Sequence, residues 1–332
     1  GPEEVVVRVA LAGICASDLK CYLGAELFWG DEKHPGGYCQ PPIIPGHKFV
    51  GEVVALGPGA AEKYGLQIGD MAISEQIVPC HECRFCRNGQ YWMCQFGDVY
   101  GFRQNAPGAM AQYMRFPRKA LNYRIPANLT LEQAVLIEPL ACSIHAVDRG
   151  DIKRTDLVVI AGCGPLGLGM VAAARLKQPA TLVALDLNDH RLAVAKACGA
   201  DLCFNPNKVD VVDEILKLTD GYGCDVYIEA TGQPSGVTQG LQMIRKLGTF
   251  VEFSVLRDMV TADWTIIGDK KELNLMGAHL GPYCYPRAID MLQKGLLPAE
   301  QIVTHQLPLA TFTSSMAMVK SAEKSIKVAL KP

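Results

Sequence analysis

Residues 157–177 read LVVIAGCGPLGLGMVAAARLK, and this stretch decides the fold of the second half of the chain. An apolar, largely branched run ends just before the first glycine, and a helical pattern begins near Pro165. Between them, Gly162, Gly164 and Gly167 form the pattern GxGxxG. This spacing is a weak signal alone, but between a strand and a helix it indicates a dinucleotide site.

The chemistry of such a site explains the residue types. Glycines permit a tight turn, let the backbone approach a pyrophosphate and allow the helix to pack closely on the sheet. The unpaired N–H groups and the positive dipole end of the helix favour an anion. We therefore predict that the pyrophosphate lies against Gly162, Gly164, Pro165, Leu166 and Gly167.

Asp186 ends the next strand, where an acidic side chain binds the adenosine ribose hydroxyls. A carboxylate there repels a 2′-phosphate, and the residue that follows is Leu187 rather than an arginine. The sequence therefore favours NAD over NADP. Arg191 could reach a 2′-phosphate, but we favour its interpretation as a solvated first-turn residue beside the adenine.

The pattern of elements divides the chain into two domains. From Asp156 onward, strands alternate with helices, which predicts a doubly wound parallel sheet and an α/β fold. The first ~125 residues instead read as short strands broken by Gly, Pro and Asp. We predict an NAD-binding Rossmann domain over residues 140–273 and a β-rich domain over residues 1–139 and 274–332.

Residues 80–94, CHECRFCRNGQYWMC, concentrate four cysteines in one loop. Two short gaps and one longer gap let four thiolates close on a single ion, which suits tetrahedral zinc in a structural role. Free buried cysteines are the alternative, but charged and polar residues fill the gaps. We predict a structural zinc held by Cys80, Cys83, Cys86 and Cys94.

Composition excludes several classes of protein. The chain has 332 residues, 49% hydrophobic and 20% charged, which predicts two folded domains and no disordered segment. A net charge of −2 argues against a nucleic-acid or membrane-surface partner. No apolar run reaches the ~18 residues of a membrane span. The other nine of the thirteen cysteines are scattered, mostly among apolar residues, which predicts a cytoplasmic protein.

Three separated residues offer a second metal site. Cys15 lies in GICASDLK, His47 in IPGHKFVGEV and Glu138 in LIEPLACSIH. One thiolate, one imidazole and one carboxylate leave a fourth position open, which is typical of catalytic zinc. Their alternatives are a core thiol, a hydrogen-bonded histidine and a helix-cap carboxylate, and spacing does not decide between them.

The motifs GICASD, PGHKFVGEV, EPLA and GCGPLGLG, with the four-cysteine loop, resemble the zinc-dependent medium-chain dehydrogenase/reductase family, sorbitol and threonine dehydrogenase branch. The resemblance covers nearly the whole chain. It implies a GroES-like catalytic domain, a Rossmann domain, NAD and two zinc ions per subunit. It also implies a homo-oligomer, with a tetramer favoured over a dimer, and an N-terminal hairpin ahead of residue 1.

The same resemblance implies the roles of individual residues. Catalytic zinc lies at Cys15, His47 and Glu138, and Ser17 is the hydroxyl of the proton relay. The nicotinamide is bordered by three further positions, Thr231, Gly232 and Ser254.

Two positions depart from the family pattern. Lys48 follows the ligand histidine where the family has a glutamate, and an ammonium opposes zinc binding electrostatically. Either Lys48 points away from the site, or it reduces zinc affinity, or this position was changed on purpose. Lys20 stands where relatives carry a relay histidine, so it either passes protons or is simply solvated.

The loop Ala25–Pro42, AELFWGDEKHPGGYCQPP, lies between the Cys15 and His47 segments. It either walls the substrate pocket or contacts another subunit. The candidate wall residues are Phe28, Trp29, His34 and Tyr38.

Polar residues near the predicted zinc, among them Ser17, Asp18 and Lys20, suit a polyhydroxylated substrate. We expect NAD-dependent oxidation of a secondary hydroxyl of a small polyol to the ketose. The alternatives are an L-threonine 3-dehydrogenase-like activity and a catalytically impaired nucleotide-binding protein of the same fold.

Overall fold

The computed structural model describes residues 1–32, 36–256 and 258–332, which form two compact units. The first unit comprises Gly1–Glu138, Tyr285–Lys294 and Val303–Pro332. The second comprises Pro139–Cys284 and Gly295–Ile302. The first unit is therefore built from both ends of the chain.

The strands, in chain order, are β1 (Val5–Gly13), β2 (Phe49–Leu56), β3 (Met71–Ser74), β4 (Ile77–Val78), β5 (Asp98–Val99), β6 (Tyr113–Phe116), β7 (Asn122–Arg124), β8 (Leu157–Ala161), β9 (Thr181–Leu185), β10 (Leu202–Phe204), β11 (Cys224–Glu229), β12 (Ile244–Glu252), β13 (Asn274–Gly277), β14 (Val303–Pro308) and β15 (Lys327–Lys331).

The α-helices are α1 (Ala16–Tyr22), α2 (Glu26–Trp29), α3 (Ala60–Tyr64), α4 (Arg84–Arg87), α5 (Leu131–Ala134), α6 (Ile137–Arg149), α7 (Pro165–Arg175), α8 (Asp189–Ala197), α9 (Val211–Leu218), α10 (Pro234–Met243), α11 (Tyr285–Gln293), α12 (Ala299–Ile302) and α13 (Phe312–Ser321). Short 3₁₀ turns occupy Tyr91–Met93 and Leu309–Thr311, and a π-helical turn occupies Ile266–Lys270.

The second unit is a six-stranded parallel sheet with the order β10-β9-β8-β11-β12-β13. Taking β8 as the first strand, this is the order 3-2-1-4-5-6 of dinucleotide-binding folds. Helices α7, α8, α9 and α10 connect the successive strands from β8 to β12. The predicted Rossmann architecture is therefore confirmed.

Local chemistry sets where these helices begin. Pro165 and Pro234 occupy the first turns of α7 and α10, where a missing N–H costs no hydrogen bond. Asn188 caps α8 by accepting from the N–H groups of His190 and Arg191.

Strand β8 is buried at all five positions, as a central parallel strand must be. Its side chains join a core that Val183, Ile215, Tyr227 and Phe250 share. Strand β13 pairs in parallel with β12, so this sheet extends beyond residue 273, where the sequence analysis ended the domain. The strand is short and mostly exposed, which is why its sequence carries little strand signal.

The first unit is built on a seven-stranded, mainly antiparallel sheet. Its strands run β14-β15-β1-β2-β3-β7, and β6 also pairs with β1. Strand β15, near the end of the chain, pairs with β1, near its beginning, through Ala12 opposite Leu330. This is the predicted β-rich domain, and with the parallel sheet it confirms the fold class.

Within the part of the chain that the structure describes, no helix is both long enough and apolar enough to cross a lipid bilayer.

Candidate active site and metal centres

The four cysteines of residues 80–94 converge on one point. Their sulfur atoms all lie within 4.8 Å of one another, with Sγ–Sγ distances of 3.6 Å between Cys83 and Cys86 and 3.8 Å between Cys83 and Cys94. Zinc–sulfur bonds of about 2.3 Å at tetrahedral angles require sulfur separations of about 3.8 Å. The donor set and its spacing therefore fit a zinc ion with four thiolate ligands.

The loop is arranged to hold negatively charged sulfurs. The backbone N–H groups of Glu82 and Cys83 both donate to Cys80 Sγ, at 3.4 and 3.2 Å, and the N–H of Cys80 donates to Cys94 Sγ at 3.2 Å. Hydrogen bonds from backbone N–H groups lower the pKa of Cys83 to about 6. Deprotonated thiolates are the form that binds metal.

A buried carboxylate ties this loop to the sheet. The hydroxyl group of Tyr91, inside the loop, donates to Glu75 at 2.9 Å. The hydroxyl group of Tyr123, on β7, donates to the same carboxylate at 2.7 Å. Glu75 is 3% exposed, and burial raises its pKa to about 7 although these two hydrogen bonds lower it. The sequence analysis missed Glu75, because its partners are distant in sequence.

The predicted cofactor residues lie at one edge of the parallel sheet. Strands β8, β9 and β11 end in register, with Ala161 opposite both Leu185 and Glu229. The glycine loop, Asp186 and Thr231 follow these three ends directly. The carboxyl ends of parallel strands are where such folds bind nucleotides.

Two glycines of the glycine loop, Gly162 and Gly167, leave no room for a larger residue. Gly162 has a φ of +94°, and a Cβ there would lie 2.7 Å from the carbonyl oxygen of Ala230. A Cβ on Gly167 would lie 1.7 Å from the carbonyl oxygen of Gly162. Gly164 caps α7, whose first turn contains Pro165 and Leu166. This geometry fits the close approach of a pyrophosphate to the helix N-terminus.

Asp186 is held in place by the backbone around it. Its carboxylate accepts from the N–H of Cys163 at 2.7 Å and from the N–H of Asn188 at 2.8 Å. The same carboxylate thus joins the glycine loop to the start of α8. Arg191 lies in the first turn of α8, as predicted.

Residues predicted to border the nicotinamide are close together. A Cβ on Gly232 would lie 3.7 Å from Cβ of Ser254. Glu229, which is fully buried, accepts from the N–H and hydroxyl groups of Thr231 and from the N–H of Gly232. Sequence reasoning missed Glu229, since a carboxylate ending a buried strand carries no motif of its own.

Within the first unit, the three predicted ligands of catalytic zinc are also brought together. Ser17 Oγ lies 3.5 Å from His47 Nε2, and Asp18 Oδ1 lies 3.5 Å from His47 Nδ1. The pKa of the Cys15 thiol is raised by burial but lowered further by the charges of Lys48 and His47, to about 5. Glu138, in the first turn of α6, is 1% exposed.

Lys48 points into this cluster. Its ammonium lies 2.5 Å from Glu138 Oε2 and 3.1 Å from His47 Nε2, and the side chain is only 5% exposed. Of the alternatives that the sequence left open, the one in which Lys48 points away from the site is therefore wrong. We call the group formed by Cys15, Asp18, His47, Lys48 and Glu138 the central cluster.

Charges within the central cluster are strongly coupled. Burial and the Lys48 charge lower the pKa of His47, but Asp18 and Cys15 raise it more, to about 9. Burial raises the pKa of Asp18, and His47 and the N–H of Cys15 lower it below its ordinary range. The 3.1 Å contact between His47 Nε2 and Lys48 Nζ lies within this coupled group.

A second lysine lies beside the central cluster. Lys327 on β15 is 1% exposed and donates to the carbonyl oxygen of Ile14 at 2.7 Å. Burial and the charge of Lys48 lower its pKa to about 8. The sequence analysis missed Lys327 because it lies far along the chain from the residues it approaches.

As arranged here, the central cluster does not fit a metal ion. Two of its three predicted ligands, His47 and Glu138, contact an ammonium rather than facing an open position. Among the described residues, only the cysteines of the four-cysteine loop bring three or more His, Cys, Asp or Glu ligand atoms close enough together to hold an ion.

Aromatic residues pack beside His47. Its ring lies 5.3 Å from that of Phe102, which stacks on Phe28 at 5.6 Å and contacts Tyr38 at 5.3 Å. Phe28 and Tyr38 were predicted from the sequence, and Phe102 was not. Trp29 instead donates to the carbonyl oxygen of Cys21. His34, the fourth predicted wall residue, lies outside the described residues.

Lys20 is three residues after Ser17 on α1, a spacing that places both on one helix face. Both side chains are partly buried.

Comparisons with known proteins agree with this architecture. Residues 1–127 match the family described as alcohol dehydrogenase GroES-like domain, and residues 165–294 match the one described as zinc-binding dehydrogenase. The chain belongs to the zinc-dependent medium-chain dehydrogenase/reductase family.

Two curated relatives indicate the branch. The chain is 52% identical over 331 residues to erythritol/L-threitol dehydrogenase of Mycolicibacterium smegmatis, covering 100% of this chain and 91% of that protein. It is 34% identical over 309 residues to L-threonine 3-dehydrogenase of Pyrococcus horikoshii, covering 92% and 84%.

Solved structures match the fold over the whole chain. A short chain alcohol dehydrogenase of Escherichia coli complexed with NADH superposes with a TM-score of 0.86 at 26% identity. A zinc-binding dehydrogenase of Sinorhizobium meliloti bound to NADP superposes with a TM-score of 0.88 at 27% identity. Each match covers 100% of this chain and 93% of the other. This chain is accordingly an oxidoreductase that acts on alcohols.

Removing one thiolate from the four-cysteine loop should cost the protein its structural metal. We expect Cys83→Ser to bind less zinc and to melt at a lower temperature, because metal binding and folding of such a loop are coupled. Zinc content by mass spectrometry and thermal unfolding check this. Cys203→Ser, outside the loop and only partly buried, is the matched control and should change neither quantity appreciably.

Glu75 should make stability depend on pH. Its folded-state pKa of about 7 exceeds the ordinary 4.5, so the folded chain holds the proton more tightly. The resulting stabilisation is fully present below pH 4.5 and is lost as the pH rises through 7, amounting to about 3 kcal/mol. Chemical denaturation between pH 4.5 and 8 measures it.

Glu75→Gln should flatten this part of the pH dependence, whereas Glu62→Gln, at an exposed position, should leave it unchanged. Equal pH profiles for the wild type and Glu75→Gln would show that Glu75 titrates normally.

Proposed function

We propose that this chain oxidises a secondary hydroxyl of a small polyol, such as erythritol or L-threitol, to the ketose, with NAD as hydride acceptor. The observation that carries the proposal is the 52% identity, over the whole chain, to an erythritol/L-threitol dehydrogenase. The match covers 331 residues and therefore extends through both units.

The choice of NAD rests on Asp186. Its carboxylate is fixed by two backbone N–H groups, so it cannot easily turn away from a nucleotide that binds at this edge. A fixed negative charge favours ribose hydroxyls and disfavours a 2′-phosphate. When bound, NAD accepts the hydride that leaves the substrate carbon.

Side chains of the first unit supply recognition and proton transfer in this proposal. Ser17 is partly exposed and lies 3.5 Å from His47 Nε2, so its hydroxyl can pass the alcohol proton towards solvent. Lys20, one helical turn away, offers a donor for a further substrate hydroxyl. Phe28, Tyr38 and Phe102 provide an apolar wall beside His47.

The proposal also includes the cellular compartment and the oligomeric state of the protein. None of the thirteen cysteines, all of which lie among the described residues, forms a disulfide, although the sulfur atoms of Cys21 and Cys39 are 3.3 Å apart. This state suits a reducing compartment, so we place the protein in the cytoplasm. A homotetramer is the assembly expected from the family resemblance, and sedimentation equilibrium would test it.

A substrate panel tests the activity. We expect NADH formation with erythritol or L-threitol at a kcat/KM at least tenfold above that with sorbitol, ethanol or L-threonine. The comparison uses one enzyme preparation and one NAD concentration, so that only the alcohol varies.

A higher kcat/KM with L-threonine would replace the polyol assignment with the amino-alcohol one. No turnover with any alcohol, together with retained NAD binding by calorimetry, would contradict the enzymatic proposal and favour a nucleotide-binding protein.

Neutralising Asp186 should weaken the preference for NAD. In Asp186→Asn the side chain keeps its size but loses the charge that repels a 2′-phosphate, so the NAD to NADP ratio of kcat/KM should fall by about tenfold. Steady-state kinetics with both cofactors measure this ratio.

Asp189→Asn, an exposed position at the start of α8, is the matched control and should leave the ratio unchanged. An unchanged ratio in Asp186→Asn as well would mean that Asp186 does not select the cofactor.

A further inference from the structure

We propose that the Lys48 ammonium takes the place of a metal ion in the central cluster, so that this chain binds one zinc per subunit, at the four-cysteine loop. The inference goes beyond the proposed function, and its test counts metal ions, which does not depend on the substrate.

The first observation is the position of the ammonium. Lys48 Nζ lies 2.5 Å from Glu138 Oε2 and 3.1 Å from His47 Nε2. These are two of the three side chains that would ligate zinc in this cluster. The ammonium therefore occupies, at hydrogen-bond distance, the neighbourhood that a metal ion would need.

The second observation concerns the lone pair of His47. Nε2 of an imidazole either carries a hydrogen or has one lone pair. If it carries a hydrogen, it cannot bind a metal. If it does not, its lone pair faces the Lys48 nitrogen at 3.1 Å. Both protonation states leave Nε2 without a lone pair for zinc, while Nδ1 faces Asp18.

The third observation is that Lys48 is enclosed. Its side chain is 5% exposed, and that of Glu138 is 1% exposed. For zinc to bind, a buried ammonium would have to leave its carboxylate partner and find another within the fold. Burying an unpaired charge is strongly unfavourable.

The charge of the central cluster with Lys48 can be compared with its charge when zinc is bound. Lys48→Glu would change the charge of the cluster by minus two, which is the charge that one zinc ion restores. The chain with Lys48 and no metal therefore has the same cluster charge as the Lys48→Glu variant with zinc. In this chain the fixed positive charge beside His47 belongs to an ammonium, held in place by Glu138.

Zinc stoichiometry measured by mass spectrometry on purified protein tests the inference. We expect one zinc per subunit for the wild type and two for Lys48→Glu. Excess zinc should raise the melting temperature of Lys48→Glu and leave that of the wild type nearly unchanged. Lys63→Glu, an exposed position with the same charge change, is the matched control and should bind one zinc.

A wild type with two zinc ions per subunit would overturn the inference. A folded Lys48→Glu protein that still binds one zinc would also overturn it, because the remaining residues would then not form a metal site.

X-ray absorption at the zinc edge keeps the test decisive if Lys48→Glu does not fold. For the wild type we expect a coordination shell of four sulfur atoms alone. A shell that mixes sulfur with nitrogen or oxygen would show zinc in the central cluster and contradict the inference.

Discussion

The central cluster is organised by one buried ion pair, between Lys48 and Glu138. Both side chains are almost fully buried, so neither charge is solvated by water, and each stabilises the other. Breaking such a pair by removing one partner costs about 3–5 kcal/mol, because it leaves a buried charge unpaired. Burial raises the pKa values of Cys15 and Asp18, and the charges of His47 and Lys48 lower both by more. Burial and Lys48 lower the pKa of His47, and Asp18 and Cys15 raise it by more.

Dehydrogenation of an alcohol needs a nearby positive charge where the oxygen becomes negative, and a hydride acceptor. In the proposed function, the parallel sheet would hold the second at its glycine loop, Asp186 and the turn anchored by Glu229. For the first, the family resemblance implies a metal ion. In this chain the charge can come from Lys48, which lies within hydrogen-bond distance of His47 and Glu138.

The four-cysteine loop and the central cluster thus differ in their ligands and in their roles. The four cysteines of residues 80–94 fit a zinc ion, and Tyr91 in the same loop donates to Glu75. Zinc with four thiolate ligands would stabilise the fold and leave no open position for a substrate. The central cluster is a mostly buried, mixed set of side chains, in which the lysine supplies the positive charge.

Features encoded within a short stretch could be predicted from the sequence. The glycine loop lies between a strand and a helix that are adjacent in sequence, and the four cysteines lie in one loop, so spacing and the neighbouring sequence indicated both. The extension of the parallel sheet beyond residue 273 could not be predicted in this way, because β13 is recognised only by its pairing with β12. Phe102 and Lys327 were missed because distant segments bring their partners to them, and Glu229 was missed because it belongs to no motif.

The orientation of Lys48 is the clearest example. A lysine has a long, flexible side chain that usually reaches solvent, and the sequence does not show which way it turns. In the structure its ammonium contacts Glu138 and His47, and these contacts show which way it turns. The resemblance brought Cys15, His47 and Glu138 together as one group, but it did not supply the cation between two of them.

The most direct measurement is a crystal structure of the wild-type protein with diffraction data collected on both sides of the zinc absorption edge. We expect one strong anomalous peak per subunit, among Cys80, Cys83, Cys86 and Cys94. Ordinary density for Lys48 Nζ should lie beside Glu138. A second anomalous peak between Cys15, His47 and Glu138, with Lys48 turned away, would contradict it.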